Sequence, residues 1–226
     1  MRWLLIRHGE SQGNREWRLQ GQREYSMTER GRCQAEALAR RLARCQIAAV
    51  YSSPLQRAQE TAALIAERLG LAVRVLPGVE EYDFGELSGL TWWEIHKRAP
   101  AVAADAASRS AEYPHYPGEE GREAFRRRVC DALWGLREDH HGETVAVVTH
   151  AGVIGAFLVD VLSRPYRRPM PFIVENSSIT VVETPPGRGW PGAPPAVLVS
   201  LNDMCHLSAV GEAPAEAYGS EEMGEG

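Results

Sequence analysis

Lysine is nearly missing from this chain. Lys97 is the single lysine among 25 basic residues, so arginine carries the positive charge, and an arginine-rich composition does not make each arginine a ligand. Positive charge is not in excess either. The net charge is −5, yet residues 211–226 hold Glu212, Glu216, Glu221, Glu222 and Glu225 and no base, which leaves 25 charges of each sign in the rest. A neutral body offers no basic field for nucleic acid. Long apolar runs are lacking as well: none approaches the roughly 20 residues of a membrane span. The first residues read as a strand, not as the tripartite pattern of a secretion signal. A cytoplasmic protein with no nucleic-acid and no membrane partner is expected. Cysteine is scarce, with Cys33, Cys45, Cys130 and Cys205 and no C-x-x-C pair, so neither zinc nor a redox couple is signalled. Cys33 and Cys45 fall in one expected helix on the order of 18 Å apart, too far for a bridge. All four cysteines read as small buried apolar residues.

What is present is ordinary for a globular domain: 226 residues, 44% hydrophobic and 24% charged. Strands are expected at 2–6, 48–51, 73–76, 144–149, 178–183 and 196–201. A short helix or turn is expected from Ser11 to about Arg18, and helices from a Thr28 cap to about Cys45, from a Ser53 cap with Pro54 at the first position to about Leu69, over 92–98, over 122–139, and from Ala151 to about Leu162. Residues 101–120 read as an irregular excursion. Residues 185–189 read as a hairpin-type connection between the last two strands. The alternation predicts a single-domain three-layer α/β/α sandwich over residues 1–210, with a mostly parallel central sheet and helices on both faces. An acidic, flexible tail is expected over 211–226.

Two apolar strands each run into a histidine: Leu4-Leu5-Ile6-Arg7-His8-Gly9 and Val147-Val148-Thr149-His150-Ala151-Gly152. In open α/β sheets ligands bind at the carboxyl edge, and parallel strands would bring both histidines there. A lone histidine in such a place is commonly a satisfied core residue. Here the chain also supplies Arg7, an Arg57 on the first turn of a helix, and a carboxylate in Glu80-Glu81-Tyr82-Asp83. Helix starts and arginines favour anions. The set suits phosphoryl transfer through a covalent phosphohistidine.

The chain resembles the histidine phosphatase superfamily, in its phosphoglycerate-mutase-like branch. The resemblance rests on Arg7-His8-Gly9-Glu10-Ser11 with Asn14, on Ser53-Pro54-Leu55-Gln56-Arg57-Ala58, on Glu81-Tyr82-Asp83-Phe84-Gly85, and on Thr149-His150-Ala151-Gly152. It implies that His8 is the nucleophile and that Arg7, Arg57 and His150 hold the phosphoryl oxygens. Glu81 is implied as general acid and base, since it lies four residues before Gly85 as in the family's motif; Glu80 is its neighbouring rival. Asn14, Gln20 and Gly21 are implied to touch phosphate or substrate, and the Ala151 N–H to be an oxyanion donor. No cofactor and no metal are implied. The expected reaction is metal-independent hydrolysis of a small phosphorylated substrate, of the histidine acid phosphatase type. A cofactor-dependent phosphoglycerate mutase is the alternative, disfavoured because residues 90–120 carry only Lys97, Arg98 and Arg109 as basic groups. A non-catalytic phospho-ligand-binding member is set against the presence of all five site residues. A metallohydrolase built on His8, His150 and Glu81 is set against two arginines that would repel the metal. The substrate and the quaternary state stay open, a homodimer among the options.

Overall fold

The structure is a computed structural model that describes residues 1–107, 115–165, 172–184 and 195–210. Six strands form one sheet: β1 (Arg2–Arg7), β2 (Ala49–Ser52), β3 (Val73–Val75), β4 (Thr144–Thr149), β5 (Ile179–Glu183) and β6 (Val197–Asp203). Their order is β3-β2-β4-β1-β5-β6. The first four in that order are mutually parallel. β5 pairs antiparallel with β1, and β6 antiparallel with β5. The described α-helices are α1 (Gln12–Arg15), α2 (Glu29–Leu42), α3 (Gln56–Leu69), α4 (Trp92–Arg98), α5 (Pro100–Ala107), α6 (Arg122–Asp139) and α7 (Ala151–Val161).

The central strands are apolar on both faces because helices cover both. Alternation splits their side chains. Leu4, Ile6, Val50, Ala146 and Val148 pack with Leu38 and Leu42 of α2 and Ile65 of α3. Trp3, Leu5, Val145 and Val147 pack on the other side with Phe125 and Leu133 of α6 and Phe157 of α7. That second core is pinned by the Trp3 indole N–H, which donates to the Leu133 carbonyl at 3.1 Å, and by Trp3 standing edge-on to Phe157 at 5.8 Å. Truncating Phe157, fully buried, to alanine costs about 3–5 kcal/mol. The three-layer sandwich expected from the sequence is therefore present. No helix among the described residues is long and apolar enough to cross a membrane.

Several local expectations are corrected. α2 ends at Leu42, short of Cys45. Among the cysteines only Cys130 is buried; Cys33 is half-buried, and Cys45 and Cys205 are exposed. α3 starts at Gln56 after an extended Leu55, because Ser53 is drawn to the site described below rather than capping the helix. Pro100 opens α5 instead of preceding an irregular segment; its ring fixes φ where a first-turn N–H has no acceptor to lose. The connection at 185–189 and the tail at 211–226 lie outside the described residues.

Candidate active site

β1, β2 and β4 end side by side. The register sets Arg7 opposite Thr149 and Ser52 opposite Val148, so His8, Ser53 and His150 leave the sheet at one edge. The His8 N–H donates to the Thr149 carbonyl at 2.9 Å, and the His8 and His150 ring centroids lie 5.2 Å apart.

His8 is buried. Its Nδ1 sits 2.7 Å from the Gly9 carbonyl, which can only accept, so Nδ1 carries the proton. Arg57 Nε donates to His8 Nε2 at 3.2 Å, and Nε2 must therefore hold a lone pair. Burial, then Arg57, then Arg7 push the His8 pKa well below that of an ordinary histidine, against the raising effect of the Gly9 bond. The ring is a neutral base with a fixed tautomer.

Arg57 is itself almost fully buried, and burial lowers its pKa to about 10, so it remains charged at neutral pH. Its Nη1 donates to the Arg23 carbonyl at 2.9 Å and its Nη2 to the Gly21 carbonyl at 2.8 Å. A guanidinium has five N–H bonds; three go to protein and two more point from Nη1 and Nη2. Thr61 links this arginine to the His8 loop, because its hydroxyl donates to the Arg57 carbonyl at 2.8 Å and accepts from the Gly9 N–H at 3.0 Å. Arg7 Nη1 donates to the Val174 carbonyl at 2.6 Å.

His150 is fully buried, and burial, followed by Arg57, depresses its pKa well below the usual value. Its Nε2 lies 2.8 Å from Ser53 Oγ. That oxygen also accepts from the Leu55 N–H at 3.3 Å; a hydroxyl has two acceptor lone pairs and one proton, so Ser53 holds the ring through Nε2 in either tautomer. Nδ1 is buried with no hydrogen-bond partner. A buried ring nitrogen without a partner is costly, and this ring stands beside that of His8.

Glu81 reaches the start of α7. Its Oε2 accepts from the Gly152 N–H at 3.0 Å and its Oε1 from the Tyr82 N–H at 2.8 Å. Gly152 leaves room for this approach: a Cβ there would stand 2.1 Å from Glu81 Oε1, and the carboxylate would have to shift. Glu80 faces elsewhere, accepting from the Gly78 N–H at 2.8 Å. Arg128 clamps this backbone, donating to the Gly78, Glu80 and Glu81 carbonyls at 2.9, 2.8 and 3.0 Å. Ala151 opens α7, where first-turn N–H groups have no acceptor within the helix.

The remaining sequence candidates stand around this centre. Asn14 closes the capping box of α1, its Oδ1 accepting from the Ser11 N–H at 3.1 Å. Gln20 Oε1 accepts from Ser11 Oγ at 2.8 Å. Gly21, at φ +53°, presses on Ser88, where a Cβ would come within 2.6 Å of Oγ. Four contributors were not singled out as site residues in the sequence: Ser53, Thr61, Arg128 and Asn176. Asn176 Nδ2 donates to the His8 carbonyl at 2.9 Å and reaches Asn14 Oδ1 at 3.3 Å. Among the described residues no group of three His, Cys, Asp or Glu is arranged to hold a metal ion.

Beside Glu81 and Gly152 lies a cavity of about 290 Å³, walled by Tyr82, Phe84, Tyr116, Phe125 and Phe172.

Residues 3–191 match the family model of the histidine phosphatase superfamily (branch 1). A metal-independent phosphoserine phosphatase of Arabidopsis thaliana is 34% identical over 92% of this chain and 84% of its own length. Phosphoserine phosphatase 1 of Hydrogenobacter thermophilus is 33% identical over 95% of this chain and 97% of its own. Among solved structures, the alpha-ribazole phosphatase of Shigella flexneri superposes with a TM-score of 0.78 at 26% identity, over 90% of this chain and 97% of that one. With the family model matched over nearly all of its length, this chain belongs to the histidine phosphatase superfamily, branch 1.

Proposed function

We propose that the protein is a metal-independent phosphatase that hydrolyses a small phosphomonoester through a phosphohistidine on His8. The observation that carries this reading is the lone pair of His8 Nε2, on a neutral ring held beside the Arg57 cation. Nε2 attacks phosphorus, and the bond from phosphorus to the ester oxygen breaks. Arg7, Arg57 and His150 take up the charge on the phosphoryl oxygens, with the Ala151 N–H as a further donor. Glu81 gives its proton to the departing oxygen. It then takes one from water, which attacks the phosphohistidine and releases inorganic phosphate. Asn14, Gln20 and Gly21 support the loops that carry these groups.

A phosphatase is favoured over a mutase because the cavity beside Glu81 is walled mainly by aromatic rings and its Arg122 stands against Glu119, whereas a mutase must hold a second anionic group. The test is turnover of a generic aryl phosphate in chelator by wild type and His8→Ala, with and without vanadate. Turnover that needs His8 and is blocked by vanadate is expected, with negligible interconversion of 3- and 2-phosphoglycerate. Turnover surviving in His8→Ala, or dependence on added metal, overturns the reading.

A further inference from the structure

The aromatic cavity has a consequence for the substrate. Four of its five rings form one contiguous run. Tyr82 meets Phe84 edge-on at 5.1 Å and Phe125 at 5.2 Å, and Phe84 meets Tyr116 at 5.5 Å. Phe84 and Phe172 are only half-buried, so part of each remains available to a guest. Among the described residues the cation on this wall is Arg122, whose guanidinium carbon sits 3.9 Å from the Tyr82 ring centroid and which stands 3.9 Å from the Glu119 carboxylate. Glu119 also accepts from the Tyr82 hydroxyl at 2.7 Å. These polar groups are therefore engaged with one another.

Position makes this the leaving-group side. Glu81, which the proposed mechanism uses to protonate the departing oxygen, lines the cavity together with Ala151 and Gly152. An alcohol leaving from phosphorus at His8 must pass its oxygen to Glu81, and its carbon skeleton then lies in this space. A cavity of about 150 Å³ accommodates benzene; one of about 290 Å³ is large enough for a fused or substituted ring. Ring faces and edges reward another flat ring beyond simple area burial.

Resting on the phosphatase reading above, we infer that the substrate is the phosphate ester of an alcohol bearing an aromatic ring system, and that Phe84 and Phe172 are specificity-determining residues for it. Small polar phosphate esters of amino or hydroxy acids are the poorer substrates of this enzyme, although two of its relatives are phosphoserine phosphatases.

The experiment compares kcat/KM for three primary alkyl phosphates: 2-(2-naphthyl)ethyl phosphate, ethyl phosphate and O-phosphoserine. All three leave as primary alkoxides, so differences report binding of the skeleton rather than the reactivity of an aryl ester. The naphthyl ester is expected to exceed both others by at least about tenfold. Phe84→Leu, which keeps an apolar side chain and hence the packing, is expected to cut that advantage about threefold to tenfold, and Phe172→Ala to do likewise. A preference for phosphoserine, or a naphthyl advantage that survives in both variants, overturns the inference and leaves the phosphatase reading intact. Failure to turn over any of the three overturns that reading, and the inference with it.

Discussion

Arg57 Nε donates to His8 Nε2 across 3.2 Å. Arginine cannot lose its proton under ordinary conditions, so this contact dictates the state of the histidine. His8 must accept, and it can do so only as the neutral ring with its other nitrogen protonated. In the proposed mechanism the nucleophile is thereby kept ready by the same cation that draws the phosphate in.

That relationship separates two arginine variants. Arg57→Lys keeps a charge but loses the planar fork that reaches Gly21 and Arg23. A loss of about 10²–10³ in kcat/KM is expected, with the acid limb of the pH profile little moved. Arg57→Ala removes the charge as well. The His8 pKa then rises, since Arg57 is the largest depressing influence after burial, and the acid limb shifts to higher pH. Profiles of kcat/KM against pH for both variants check this.

Gly152→Ala places a methyl group on the Glu81 carboxylate. Esters of poorly leaving alkyl alcohols are expected to lose on the order of 10²-fold in kcat, as befits a displaced general acid. A 4-nitrophenyl ester, whose leaving group hardly needs a proton, is expected to lose far less. Equal losses on both esters would show that the glycine matters for something other than Glu81.

Ser53→Ala removes the hydroxyl that fixes His150 Nε2. The buried ring then loses the contact that sets its orientation beside His8. Vanadate affinity and kcat are each expected to fall about tenfold, in line with one hydrogen bond lost at a buried group. Ser53→Thr is expected to restore both; failure of threonine to do so counts against this role of the hydroxyl.

Acid should unfold this protein sooner than its net charge suggests. His8 and His150 both have depressed pKa values in the folded state, while in the unfolded chain each titrates near 6.5. Below about pH 6.5 the unfolded state binds protons that the native state refuses, so stability falls with falling pH. Each histidine contributes a slope of about 1.4 kcal/mol per pH unit in that window, and none above it. Chemical denaturation between pH 7.5 and 5 should show this decline, and the His8→Asn, His150→Asn double variant should flatten it.

Much of this architecture is written locally. The strands leading into His8 and His150 are unbroken β-branched and leucine-rich runs, and a pattern of that kind has one reading in an α/β chain. In the sequence only the spacing to Gly85 distinguishes Glu81 from Glu80; in the structure the Glu80 carboxylate turns to Arg128 and the Glu81 carboxylate to the start of α7, contacts that bring together residues about 50 and 70 apart. Asn176 gave no signal because its partner is the His8 backbone carbonyl, and a carbonyl has no residue type. Ser53 reads as a helix cap in any sequence, and only the parallel pairing of β2 with β4 turns it toward His150. The aromatic wall was equally hidden, its rings coming from four separate stretches of chain. Cys45 was misjudged because α2 ends one turn early, beyond the reach of periodicity alone.

The sheet order has a temporal consequence. Among the six strands β1 is made first, yet its neighbours are β4, which begins at Thr144, and β5, which begins at Ile179. The histidine at its end therefore waits for both flanking strands until Glu183 has been made. A chain interrupted before that point carries the His8 motif without the sheet edge that holds it.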